Sequence, residues 1–242
     1  MDLTAEQRAQ LMLNLVPDLG PSRTSALIEW FGSAESVLHA SASEIQQVQG
    51  IGPKLASSIT SALKTADVEK ELQLLKQHRT RYIHCSDSAY PQELKELPNP
   101  PTMLYLRGEI TQEDVRAVGI VGSRACTDYG KKIARQLGYD LARHGITVIS
   151  GLARGIDGDA HRGALEAGGR TLAVLAGGLS KIYPPEHVRL SEEVEKSGAL
   201  ITEATMSQKP LPDMFPARNR IISGLSQLVV IVEAAQRSGA LI

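Results

Sequence analysis

The sequence predicts an α/β protein: a doubly wound, mainly parallel sheet covered by helices on both faces, preceded by a small all-helical domain. Three observations carry this. From residue 115 onward, nearly continuous apolar runs alternate with amphipathic stretches, the pattern of buried parallel strands joined by helices. The loops that follow those runs are rich in glycine, polar and basic residues. Residues 1–65 read instead as short helices separated by tight Gly-Pro turns.

Within residues 1–65, DLGPSRTSALIEWFG (18–32) and GIGPKLASSITSALK (50–64) echo each other. Each carries Gly-Pro and then alanine, leucine or isoleucine at helical spacing. The pair resembles a tandem helix-hairpin-helix, or SAM-like, unit. Its glycines would let the hairpin backbone approach a phosphate, with the free N–H groups of the next helix facing it. The same glycines serve equally in a helical packing module, and both roles stay open. Residues 66–114 read as a connector, with a helix over 66–77 and short strands at TRYIHCSD and MLYLRG. The proline-rich stretch between those strands cannot continue a helix.

The domain at 115–242 follows in order. VRAVGIVGS is a strand and DYGKKIARQLGYDLARHG an amphipathic helix. ITVISG is the next strand, with a helix over 159–167. RTLAVLAGG and a helix over 185–197 come next, then ALITEA, a helix opening at FPARNRIISGLS, and QLVVIVEAA as the fifth strand. The chain ends at QRSGALI, where a further helix would begin, so this domain reads as truncated at its C-terminus.

Composition narrows the function. Hydrophobic content of 42% and charged content of 22% are ordinary for a globular protein. A net charge of -1 gives no bulk field for nucleic acid, although a basic stripe can sit on a neutral protein. The two cysteines, Cys85 and Cys126, suit a reducing cytoplasm and exclude a disulfide framework or a cysteine-rich zinc site. No run approaches the roughly 18 apolar residues of a membrane span. A cytoplasmic location and no cofactor are expected.

In open α/β sheets, ligands bind at the carboxyl ends of the strands. There lie GSRACTDYG (122–130), SGLARGIDGDAH (150–161), GGLSKIYPPEH (177–187) and FPARNR (215–220). Arg124, Arg154, Lys181, Arg218 and Arg220 would gather along that edge. A dinucleotide site is disfavoured: GIVGSR lacks the G-x-G-x-x-G spacing, and no acidic residue closes ITVIS. A hydrolase is disfavoured because Ser150 sits in ISGLA and not in G-x-S-x-G. Asp157 is expected to cap the helix that follows and His161 to brace the loop. As metal ligands Asp157, Asp159 and His161 have no matching distant cluster.

VGSR, SGLARGIDGDAH and FPARNRIISGLSQLVVIVEA, in this order and spacing, resemble the DNA processing protein A family (DprA, also called Smf). The resemblance covers 115–242 and extends to the N-terminal helical unit. It implies an extended Rossmann-like domain that binds single-stranded DNA without strong sequence preference and is not an enzyme. Family members protect incoming strands during natural transformation and load the RecA recombinase, usually as homodimers. Carried over by motif, Gly122 and Arg124 of VGSR, with Arg218, Asn219 and Arg220 of FPARNR, would contact the DNA backbone. Phe215 would give a base a stacking surface, and Ser123, Gly151 and Gly155 would offer hydroxyl or backbone contacts to phosphate, with Lys181 added. Family members usually continue past this C-terminus, and their dimer and RecA surfaces lie toward the late part of the α/β domain. Both are therefore expectations for the parent protein. The competing expectation is a Rossmann-like enzyme acting on a nucleotide or phosphoribosyl group, whose P-G-G-x-G-T motif AGGLSKIYP matches poorly.

Overall fold

A computed structural model of the chain describes residues 3–236 and 239–241. The helical unit comprises α1 (Ala5–Asn14), α2 (Gly20–Phe31), α3 (Ala34–His39), α4 (Ala42–Ile45) and α5 (Pro53–Thr65). Thr4 opens α1 with a capping box closed by Gln7, and Pro53 stands at the first turn of α5, where its missing N–H costs nothing. Leu13, Leu19, Leu27, Val37, Ile45, Ile51 and Ile59 bury a common core.

α6 (Val68–Gln77) leads to β1 (Arg81–His84) and β2 (Met103–Gly108). β3 (Ala117–Val121), α7 (Asp128–Arg143), β4 (Thr147–Ser150), α8 (Ile156–Glu166) and β5 (Thr171–Val174) follow. α9 (Val188–Ser197), β6 (Ala199–Thr202), α10 (Met214–Gly224) and β7 (Leu228–Ile231) complete the chain, with a short 3-10 turn at Gly239–Leu241. The seven strands form one sheet in the order β1-β2-β6-β5-β4-β3-β7. Strands β6, β5, β4, β3 and β7 are parallel neighbours, while β1 and β2 extend the β6 edge antiparallel.

Each central strand buries both faces, which is why the apolar runs are continuous instead of alternating. Ala117, Ile149, Leu172 and Ile201 face Ile221 and Ile222 of α10. Ile120 and Val148 face Ala134 of α7 and Ala160 of α8. Leu200 and Tyr105 face Leu75 of α6, Val194 of α9 and Leu11 of α1.

Two expected boundaries shift. The stretch 66–114 is more than a connector, because β1 and β2 belong to the main sheet. The helical unit is likewise fastened to that sheet. Asn14 Nδ2 of α1 donates to Tyr105 Oη of β2 at 3.1 Å, and Leu11 of α1 packs with Tyr105 and Leu200 of the sheet. Helix α8 starts at Ile156, three residues before the expected Asp159. Glycine explains the shift: Gly155 takes φ +72 at the cap, a conformation that favours glycine, so the turn closes early.

Candidate nucleic-acid interface

The loops after β3, β4 and β5 meet the start of α10 at the carboxyl edge of the sheet. A crevice there is lined by Arg124, Gly151, Arg154, Lys181, Tyr183 and Phe215. The loop after β7 closes on the β3 loop. The Ser123 N–H donates to the Glu233 carbonyl at 2.6 Å, and the Glu233 carboxylate accepts from the Thr127 N–H at 3.1 Å. A second cavity on the other side of Arg124 and Phe215 is lined by Gly122, Ser123, Asn219 and Gly239.

Arg124 is exposed, and its guanidinium lies 4.1 Å from the centroid of the half-buried Phe215 ring. Lys181 is also exposed. Neither is paired with a carboxylate among the described residues, whereas Arg154 pairs with Glu186 and Arg220 with Glu203. Two cations on one rim, one stacked on an aromatic ring, offer a polyanion charge and a flat apolar surface together.

Six of the expected contact residues are engaged within the protein. Arg218 is 5% exposed and donates to the carbonyls of Gly151 and Val174, so it lies beneath the crevice and not on its surface. Its environment lowers its pKa to about 10, burial being the main cause, with Asp157 opposing the shift. It stays charged at neutral pH as a buried tie between β4 and β5. Gly151 packs against that guanidinium, where any Cβ would collide, and its N–H is taken by Asp157 Oδ2 at 3.1 Å. Arg220 donates to Glu203 Oε2 at 2.6 Å, and Asn219 Nδ2 to the Gly239 carbonyl at 2.9 Å. Gly122 and Gly155 likewise serve loop packing: a Cβ on Gly122 would meet Ile156 at 2.6 Å, and one on Gly155 would strike the Ser123 carbonyl. The Ser123 N–H is taken by Glu233 and its hydroxyl oxygen accepts from the Ala125 N–H at 3.2 Å, which leaves the hydroxyl proton to donate to a ligand.

SGLARGIDGDAH assembles no hydrolase. The Ser150 hydroxyl is fully buried and gives its proton to the Ile120 carbonyl. Asp157 lies within the first turn of α8, whose cap is Gly155, and its carboxylate bonds Gly151 across the loop instead of capping the helix. His161 is fully buried. Thr171 Oγ1 donates to the Val148 carbonyl at 2.8 Å, so His161 Nδ1 must donate to Thr171 Oγ1 at 2.7 Å. Its Nε2 is a buried acceptor without a partner among the described residues. Among the described residues no three His, Cys, Asp or Glu side chains are grouped to hold a metal ion. No described helix is long and apolar enough to cross a membrane.

Burial is the largest cause holding the His161 pKa down to about 3, far below its ordinary 6.5. The unfolded chain therefore binds the proton first, and stability is lost as pH falls below 6.5. Acidification from pH 7.5 to pH 5.5 is expected to cost about 1 kcal/mol through this group. Urea unfolding at both pH values checks it: in His161→Gln the pH-dependent loss shrinks by about that amount, and equal losses in both proteins refute it.

A family model for DNA recombination-mediator protein A matches residues 81–242, and one for a SAM-like helix-hairpin-helix tandem matches residues 10–65. The chain belongs to the DNA recombination-mediator protein A family. It is 37% identical over 242 residues to Protein Smf of Synechocystis, covering 98% of this chain and 61% of that one. Against the X-ray structure of DNA processing protein A from Streptococcus pneumoniae it gives a TM-score of 0.81 at 29% identity, covering 100% of this chain and 82% of the other. Against DNA processing protein A from Helicobacter pylori, a structure described for its single-stranded DNA binding mode, the TM-score is 0.60 at 30% identity, covering 66% and 73%. The chain spans 61%, 54% and 47% of the length of three curated relatives. It has the fold of its family, a mainly parallel α/β sheet with a SAM-like helical unit at the N-terminus.

Sequence reasoning passed over Tyr183 and, for Glu233, over its tie to Thr127 in the β3 loop. The signal for Tyr183 was an aromatic in a glycine- and proline-rich loop directly after a strand. Glu233 carried none, because its partner Thr127 lies 106 residues away.

Proposed function

We propose that this chain is a sequence-tolerant single-stranded DNA-binding body. Arg124, Lys181 and the Ser123 hydroxyl hold the phosphate backbone, and a base stacks on Phe215. The observation that carries this reading is the Arg124 guanidinium lying 4.1 Å over Phe215 at an open crevice, charge and stacking surface in one place. The Helicobacter pylori relative, described by its single-stranded DNA binding mode, supports it. The internal use of Ser150, Asp157 and His161 favours binding over catalysis. In the whole protein we extend this to protecting incoming strands during natural transformation in the cytoplasm and, as a homodimer, delivering them to the RecA recombinase.

Fluorescence anisotropy with labelled oligo(dT) and a duplex of equal length tests the reading. Tighter binding to the single strand is expected, with affinity falling linearly in log–log form as salt rises. Equal or tighter duplex binding, or salt-independent binding, overturns it.

A further inference from the structure

Tyr183 stands beside Phe215 at the crevice and is 41% exposed, while its neighbours Ile182 and Pro184 are buried. Its segment is anchored to the β4 loop. His187 Nδ1 donates to the Leu152 carbonyl at 2.9 Å, and the His187 N–H donates to the Pro184 carbonyl at 3.0 Å. The ring is thus held out from a fixed backbone, at little further cost in conformational freedom when it binds something.

The Tyr183 and Phe215 ring centroids are 6.2 Å apart with planes inclined at 58°. Each ring carries a guanidinium: Arg124 lies 4.1 Å from the Phe215 centroid and Arg154 lies 5.8 Å from that of Tyr183. The four side chains form a row, arginine, ring, ring, arginine. Arg154 differs from Arg124 in being ion-paired with Glu186, and both members of that pair are 49% exposed.

Nucleobases and guanidinium groups compete for the same aromatic faces. A strand entering the crevice exchanges them: each arginine turns to a phosphate, and a base takes its place on the ring. Arg124 makes this exchange without losing an ion partner, whereas Arg154 must first leave Glu186.

We propose that Tyr183 is a second base-stacking residue, next to Phe215, so that the crevice takes two neighbouring bases of a single strand. Glu186 is a positioning residue that restrains this half of the site by holding Arg154 over the Tyr183 ring. The proposal rests on the crevice being a single-strand site, as argued above.

The test compares oligo(dT) with an abasic phosphodiester strand of equal length, on the whole chain and on folded variants. Tyr183→Leu is expected to weaken oligo(dT) binding about tenfold, and to leave binding of the abasic strand unchanged. Tyr183→Trp is expected to stay within about twofold of the parent, because the stacking face remains. Glu186→Gln is expected to tighten oligo(dT) binding about twofold and to steepen the salt slope by about 0.7 as Arg154 engages a phosphate. Unchanged oligo(dT) binding in Tyr183→Leu, or equal weakening on both strands, overturns the stacking role. Unchanged affinity and slope in Glu186→Gln overturn the restraint. Phe215→Leu separates the two levels of failure. A base-dependent loss there, with none in Tyr183→Leu, sinks this proposal alone; failure of the parent chain to prefer single strands sinks the site itself.

Discussion

Replacing Arg218 with methionine is expected to destabilise the fold by about 3–5 kcal/mol, although the residue lies in the motif that reads most like a DNA contact. Its guanidinium donates to the carbonyls of Gly151 and Val174, at the ends of two adjacent strands. Methionine fills similar space but leaves both buried acceptors unsatisfied, each a substantial desolvation penalty. It also removes the positive charge that opposes the desolvation of Asp157, a fully buried carboxyl whose pKa burial raises. Urea unfolding with a constant m-value would report the loss directly. Adding Asp157→Asn should recover part of it, because the uncompensated carboxylate is then gone. A stability change under 1 kcal/mol in Arg218→Met would show that the buried tie is dispensable. Lysine is also expected to fail here, since it cannot reach two carbonyls with a planar fork.

Arg124→Ala is expected to do the opposite: keep the fold and lose the ligand. The side chain is exposed and its contact is with the Phe215 face, so stability should stay within about 0.5 kcal/mol. Binding to oligo(dT) should weaken on the order of 10- to 100-fold, the range for one charge-assisted hydrogen-bonding group. The slope of log affinity against log salt should flatten by about 0.7, one phosphate contact on a single strand. Arg124→Lys should keep the slope and lose only part of the affinity, since charge is retained while the fork and stacking plane are not. Anisotropy titrations between 50 and 200 mM salt check both quantities. Unchanged affinity and slope in Arg124→Ala would remove this side chain from the site.

The two arginines show how far the sequence could be read. FPARNR marks a glycine-poor helix opening at a strand's carboxyl end, and that placement holds in α10. Treating its arginines alike overlooks helical periodicity. Arg218, Ile221, Ile222 and Leu225 are spaced i, i+3, i+4, i+7, and all four are buried. That stripe was present in the sequence as a warning that Arg218 faces inward. Its partners were not, since Gly151 and Val174 lie 67 and 44 residues upstream. For Arg220 the sequence offered Glu203 or Glu233 as an ion partner, and the fold brings Glu203 within reach.

The glycines of the edge carry the same lesson. Their number marked loops of special geometry, and an open phosphate cradle was the natural expectation. In the structure Gly122 and Gly155 let the β3 and β4 loops pack directly on each other, and Gly151 makes room for a guanidinium. A glycine reports that a backbone comes close to something, and sequence does not say to what.

By itself the sequence determined the class of fold, the order of strands and helices, and the glycine-rich, basic loops gathered at one edge of the sheet. Those follow from periodicity and from the fixed geometry of strand–loop–helix units, which are local in the chain. Only the tertiary structure decided that Arg124 stacks on Phe215, that Arg218 is buried and that Tyr183 joins the crevice. Burial and pairing depend on atoms brought together from distant positions, and one charged residue type serves as surface contact or internal tie according to what the fold sets against it.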